Sequence, residues 1–266
     1  MMRIHLEGVG IHAPGLVGWE QAAAVLAGRA GYDPQPPARL SPALLPPDVR
    51  RRTTEHIRLA VEVASQAVAQ AQRDAAQLSS VFASSESDGA ITHNICEEVA
   101  RETPEVSPTR FHNSVNNAPA GYWCMATGAR GPSTSLAGFD ATFAMGLLEA
   151  ACQLHTEAEA VLLVAHDTPL PEPLNGVRPM TAAFGAALVL TRDPTPRSLA
   201  ALDIDIAQPD AAETALADAA LETLRRGNPA ARGLALLAAL ARATRAECVL
   251  PYVAGQRLRV TVEPGA

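Results

Sequence analysis

Residues 140–154 are apolar on nearly every helical face: Ala141, Phe143, Ala144, Met145, Leu147, Leu148, Ala150, Ala151 and Leu154 leave no polar stripe. A helix of that kind is covered on all sides. Two further runs, Val161–Ala165 and Gly185–Leu190, are also uniformly apolar and bounded by turn residues. Central strands with both faces covered read this way. A buried helix beside buried strands demands a layered α/β domain.

The rest of the chain fills in the layers. Residues 4–11 alternate like a strand and meet the turn signal Ala13-Pro14-Gly15. Residues 18–28 predict a short helix. Pro34, Pro36, Pro37, Pro42, Pro46 and Pro47 predict an extended surface loop over 32–48. Helical spacing of Ile57, Leu59, Val61, Val63, Ala64 and Val68 predicts a helix over 54–74, followed by a strand at 78–83 and a helix at about 89–101. The stretch 103–131 reads as irregular and polar, and 133–138 as a short strand. Alternating strands and helices predict a largely parallel sheet with helices on both faces. After Pro194-Thr195-Pro196 the character changes: a strand at 199–206, alanine-rich helices at 211–226 and 230–245, and a last strand at 257–263. The expected division is an α/β domain over 1–194 with a short tail, 195–266, packed on it.

Composition excludes several classes. With 266 residues the chain can bury a sizeable core. Its formal net charge of −7 gives no electrostatic reason for nucleic-acid binding. The one basic run, Arg50-Arg51-Arg52, reads as a solvated helix start. Cys96, Cys124, Cys152 and Cys248 lie far apart with no C-x-x-C pair, as reduced, buried thiols of a cytosolic protein would. No signal peptide is visible and no apolar run reaches the roughly 18 residues of a membrane span, so the expectation is a soluble cytoplasmic protein. His93 and Cys96 share a helical face, but Glu97 and Glu98 beside them do not complete a zinc site. No metal and no cofactor are expected.

Acyl-transfer enzymes on open α/β sheets often place the nucleophile on a tight strand-to-helix turn, where backbone N–H groups favour negative charge. Ser133-Thr134-Ser135-Leu136-Ala137-Gly138-Phe139-Asp140-Ala141-Thr142 has that character, with Asp140 at the elbow. Gly131-Pro132-Ser133-Thr134-Ser135-Leu136, followed by this elbow and the buried helix, resembles the β-ketoacyl synthases, in which a Cys at the elbow carries the acyl chain. Val81-Phe82-Ala83-Ser84-Ser85 with Asp88-Gly89 resembles the family's second strand and loop, Val164-Ala165-His166-Asp167 the strand after the nucleophile helix, and Phe184-Gly185-Ala186-Ala187 the antiparallel strand that follows. The stretch Arg110-Phe111-His112-Asn113-Ser114-Val115-Asn116-Asn117-Ala118-Pro119-Ala120-Gly121 is similar to the segment approaching the dimer interface. It looks especially like chain-length-factor-type proteins associated with aryl-polyene-type synthases. The likeness covers roughly residues 4–192 and implies a thiolase-like fold with a truncated or degenerate second half.

Two departures shape the functional expectation. An ungapped count puts Asp140 where the family's Cys belongs, and a carboxylate cannot hold a thioester as a thiolate can. The family's two histidine contexts, His-Gly-Thr and Gly-Phe-Gly-Gly, are also missing, and no His follows His166. The resemblance therefore implies a partner that does not condense alone. It would pair with a full-length ketosynthase as a heterodimer, meet acyl carrier protein through it, and bound the acyl tunnel at the interface. The residues it assigns to interface and tunnel are Phe111, His112, Asn113, Asn116, Asn117, Tyr122, Trp123, Phe139 and Phe143.

Other readings stand beside these. Asp140 reads as an N-cap of the buried helix, worth on the order of 1 kcal/mol. The polar residues around His112 read as a loop that satisfies backbone groups, Tyr122 and Trp123 as core or dimer contacts, and Cys124 as an inert mid-helix thiol. Two alternative functions remain: a small acyl-thioester hydrolase or malonyl decarboxylase using Asp140 with His112, and an acyl-carrier-protein binding module.

Overall fold

A computed structural model describes residues 1–208 and 210–265. Strand β1 (Met2–Ala13) and the short β2 (Leu16–Val17) lead into helix α1 (Trp19–Leu26). After the proline-rich loop come α2 (Pro47–Arg52), α3 (Glu55–Ala71), β3 (Ser79–Ala83), α4 (Gly89–Val99), α5 (Pro108–Asn113), α6 (Ala118–Thr127) and β4 (Ser133–Leu136). Then follow α7 (Thr142–Thr156), β5 (Ala160–Asp167), α8 (Leu174–Val177), β6 (Phe184–Thr191), β7 (Ala200–Ala207), α9 (Ala219–Arg226), α10 (Leu234–Ala241), β8 (Ala246–Pro251) and β9 (Arg257–Pro264).

One sheet runs through the molecule in the order β4-β3-β5-β6-β1-β7-β9-β8, with β2 paired to β1. It is mixed, where the alternation of elements predicts a largely parallel one. Only β4, β3 and β5 pair in parallel; every other pair is antiparallel. The reason is local. A parallel neighbour needs a long crossover, but β5 returns to β6 through the proline-containing segment 168–183, which carries only the four-residue α8. Strands β5 and β6 are buried along their whole length, as their uniformly apolar sequences require.

Helices cover both faces of the sheet. On one face α3 buries Ile57, Leu59, Ala60, Val61, Val63, Ala64, Ala67 and Val68. Thr54 caps it, its hydroxyl oxygen accepting from the Ile57 N–H. The helix lies directly on β1: a Cβ at Gly8 would fall 2.1 Å from the Ala67 carbonyl oxygen, and one at Gly10 2.0 Å from that of Val63. Glycine is required there by close approach. Trp123 and Tyr122 of α6 join the same apolar layer.

The opposite face carries α7, α1, residues 230–233 and α10 in a second layer. Phe143 of α7 packs against Gly233, where a Cβ would lie 2.3 Å from its ring. Residues 195–266, read from sequence as a tail, supply three strands of the same sheet and the apolar α10. Strand β8, absent from the sequence reading, pairs with β9. The outer side of β8 is covered by its own chain: the Thr214 N–H donates to the Val249 carbonyl (3.0 Å) and the Val249 N–H to Thr214 Oγ1 (2.9 Å). Strand β4, at the other end, has no neighbour on its outer side among the described residues.

Candidate functional site

The turn from β4 to α7 is a one-turn 3-10 helix, Phe139–Ala141, with Asp140 at its centre. Asp140 stands on a strand-to-helix turn, but it does not cap α7, which corrects the N-cap reading. The N-cap residue is Ala141 and makes no side-chain bond. Thr142 secures the turn instead: its hydroxyl donates to the Phe139 carbonyl (2.7 Å) and accepts from the Gly138 N–H (3.0 Å). The carboxylate points the other way, and Arg178 Nη2 donates to its Oδ1 at 2.9 Å.

Arg178 ties three segments together. Its Nε donates to Glu86 Oε1 at 3.2 Å, and its guanidinium lies 3.5 Å from the centre of the Phe139 ring. Phe139 has φ of 53°, an outlying conformation for a bulky residue, on a ring that is 61% exposed. The left-handed position of this elbow is thus Phe139, one residue before the position reached by ungapped counting.

The stretch 103–131 is more ordered than its composition implies. It holds α5 and α6, each opened by a proline in its first turn (Pro108, Pro119), where the missing N–H costs nothing. Phe111, Val115 and Met125 stand on their outer side at 65, 50 and 68% exposure. His112 is exposed, its ring edge-on to that of Tyr122 at 6.4 Å. Asn113 is buried: its Nδ2 donates to the Arg52 carbonyl and its Oδ1 accepts from the Tyr122 hydroxyl (3.0 Å). Asn116 Oδ1 accepts from the Ser87 hydroxyl at 2.6 Å, and Asn117 precedes α6, exposed and without a capping bond. Trp123 and Phe143 lie inside the two core layers, both 1% exposed. Among the proposed site residues, the structure groups Phe111 and His112 on the outer surface of α5 and α6, places Phe139 and Asp140 at the elbow, and leaves Tyr122, Trp123 and Phe143 inside.

No hydrogen bond joins Asp140 to His112 among the described residues. Cys124 is half-buried, and burial raises its thiol pKa, although a hydrogen bond with Ser133 opposes this. Burial pushes Cys248 up to about 12. Cys96 and Cys152 are exposed, contrary to the expectation of buried thiols, because each falls on the outward side of its helix. Among the described residues, no group of three or more His, Cys, Asp or Glu is placed to hold a metal ion, and no helix is long and apolar enough to cross a membrane.

Sequence reasoning missed a second polar group, at the C-terminal ends of β3 and β5. Asp167 Oδ1 accepts from the Ser84 hydroxyl (2.9 Å) and the Ser85 N–H (2.8 Å), and Oδ2 from the Ala230 N–H (3.2 Å). Burial nevertheless raises its pKa to about 6, against the pull of these hydrogen bonds. On the opposite face the rings of His166 and His56 lie 4.4 Å apart. Burial lowers His56 to about 4 despite the nearby charge of Asp88, and it holds His166 well below the usual imidazole value. Arg178 and His56 sit 38 and 84 residues from Asp140 in sequence, so no local pattern signals them.

Solved structures share this fold. A chain of the Xenorhabdus doucetiae complex of a ketosynthase with its chain length factor matches with a TM-score of 0.75 at 18% identity, over 98% of this chain and 100% of that one. The ishigamide ketosynthase/chain length factor matches with a TM-score of 0.73 at 13% identity, over all of both chains. A type II polyketide synthase acyl-carrier protein in complex with its ketosynthase bound to the hexaketide contains a chain matching at 0.75 and 12% identity, over 99% of each. At these identities the likeness fixes a thiolase-like ketosynthase fold. No curated protein matches significantly by sequence. Residues 19–250 match the family model of the β-ketoacyl synthase N-terminal domain, a span that runs past residue 194 through α10 into β8, and the chain belongs to that family.

Proposed function

We propose that this chain is a chain-length-factor-like partner of a full-length ketosynthase in type II polyketide or fatty-acid biosynthesis of the aryl-polyene kind. It shapes the acyl tunnel at a heterodimer interface, meets acyl carrier protein through the ketosynthase, and does not condense on its own. The observation that carries this reading is the elbow: Asp140, which the resemblance sets at the position of the acyl-carrying Cys, stands on the strand-to-helix turn with its carboxylate engaged by Arg178. A carboxylate held in an ion pair is a poor nucleophile toward a thioester. Supporting it are an exposed apolar surface, Phe111, Val115 and Met125, and strand β4, whose outer side is unpaired among the described residues. Exposed apolar patches and open sheet edges both mark interaction surfaces. Two similar structures, each of a ketosynthase and its chain length factor, point the same way.

In this reading Phe111, the Asn116–Ser87 contact and Phe139 stand toward the tunnel end, while Tyr122, Trp123 and Phe143 support them from the core. Co-expression with a ketosynthase followed by size-exclusion chromatography tests it. One co-eluting heterodimer is expected; two separate peaks at micromolar concentration would refute it. A hydrolase or decarboxylase using Asp140 predicts activity of the isolated chain that disappears in Asp140→Asn, whereas the partner reading predicts none in either protein.

A further inference from the structure

A cavity of about 860 Å³ opens where the end of β1, the first turn of α3, the start of α4 and the segment 168–183 meet. It lies apart from the elbow and from the α5–α6 surface, and nothing in the reading above uses it. Three polar side chains in its wall, His12, His56 and Asp88, are 7, 2 and 4% exposed. Both ring nitrogens of His12, both of His56, and Oδ2 of Asp88 have no hydrogen-bond partner. Asp88 Oδ1 is occupied, accepting from the Ile91 N–H at the start of α4 (3.1 Å). Buried polar atoms are paired as a rule, so three unpaired side chains in one wall call for a common partner. Pro36, Pro37, Ala182 and Ala183 supply a largely apolar remainder.

The mouth is basic. Arg39 and Arg58 stand at it, and Arg50 and Arg51 line the adjoining depression with them. Among the described residues none of the four forms an ion pair. Arg58 keeps its Nε without a partner, although its Nη1 donates to the Thr53 carbonyl (3.0 Å). Glu55 is the one acidic side chain among them at the mouth and offsets part of the charge of Arg58, and Arg50 Nη1 donates to the Ser41 and Pro42 carbonyls. Four guanidinium groups against one carboxylate still leave a positive excess suited to a phosphate, whose oxygens match their planar fork.

A bare anion would satisfy the mouth and not the wall. Asp88 Oδ2 needs a donor, and a neutral imidazole presents one donor and one acceptor. We propose that the cavity binds a phosphorylated small molecule, its phosphate on Arg39 and Arg58 and its hydroxyl- or amide-bearing body against His12, His56 and Asp88. The volume suits such a body, since small-molecule pockets run from about 300 to 1,000 Å³.

Isothermal titration of the full chain with glycerol 3-phosphate, ribose 5-phosphate and adenosine 5′-phosphate, beside inorganic phosphate and free ribose, tests this. At least one ester is expected to bind roughly tenfold or more tighter than inorganic phosphate or ribose. That advantage should fall about tenfold in Arg58→Met. It should also fall in Asp88→Asn, which keeps a side-chain oxygen to cap α4. Ala183→Trp, which puts a large side chain at the cavity wall, should abolish it, with circular dichroism confirming that the variant is folded. The proposal is overturned if all three esters bind no better than inorganic phosphate, or if binding survives unchanged in Ala183→Trp. Either result leaves the heterodimer reading intact, because that rests on the elbow and β4.

Discussion

Arg178 and the buried histidines set the behaviour of this chain at the scale of single residues. Arg178 holds Asp140, Glu86 and Phe139 at once, yet the Asp140 side chain is 44% exposed, and partly exposed pairs are worth little. Arg178→Ala should therefore lower stability in urea by no more than about 1–2 kcal/mol, with near-ultraviolet circular dichroism reporting the freed Phe139. The imidazoles predict a larger effect. His56 and His166 bind protons in the unfolded chain below about pH 6.5 that burial denies them in the fold. Their contribution is full above that pH and lost as pH falls toward 4. Asp167 acts in the opposite sense: its raised pKa favours the fold below about pH 4, and that contribution is lost as pH rises through about 6. His12, lowered by burial as well, adds to these two imidazoles, and together they outweigh one carboxylate. Stability should therefore rise with pH between about 4.5 and 6. His56→Phe should remove close to one proton from that slope, measured by urea unfolding at stepped pH; an unchanged slope would exclude His56 as the titrating group.

At the scale of elements, the contact of α3 with β1 tolerates no added atom. Gly10→Ala sets a methyl group against the Val63 carbonyl, and because backbone cannot rotate aside, the loss should reach or exceed the about 3 kcal/mol typical of overpacking. A denaturant midpoint within error of the parent would contradict this packing. The strands β5 and β6 and the helix α7 were legible in sequence because their apolar runs have one physical solution, burial on both faces. Helix α5 was not, and α6 only in part, as the helix around Cys124, since short helices opened by proline and held by tertiary contacts, such as the Tyr122–Asn113 bond, carry little periodic signal. The antiparallel direction of β6 came from the family resemblance and not from local pattern: strand order and sense belong to the connection, and residues 168–183 look like any proline-rich loop. The elbow was placed correctly on its turn from small residues alone, but the partner of Asp140 comes from a segment 38 residues away.

At the scale of the whole molecule, the proposed heterodimer places its contact on the surface of α5 and α6. Phe111→Glu with Met125→Glu puts two charges on side chains that are 65 and 68% exposed, so the fold should keep its thermal midpoint. Co-purification with a ketosynthase should fall at least tenfold, if each charge costs the interface about 1 kcal/mol or more. Retention of a full heterodimer peak would move the contact elsewhere. The covering of β8 by Thr214 has a further consequence, for stoichiometry. A ribbon of strands that accepts additions at both ends polymerises, whereas one plugged at one end stops after a single joining event. With Thr214 already seated on Val249, backbone pairing is obstructed at that end, and a union through the open edge of β4 would join chains two at a time rather than in a continuing array.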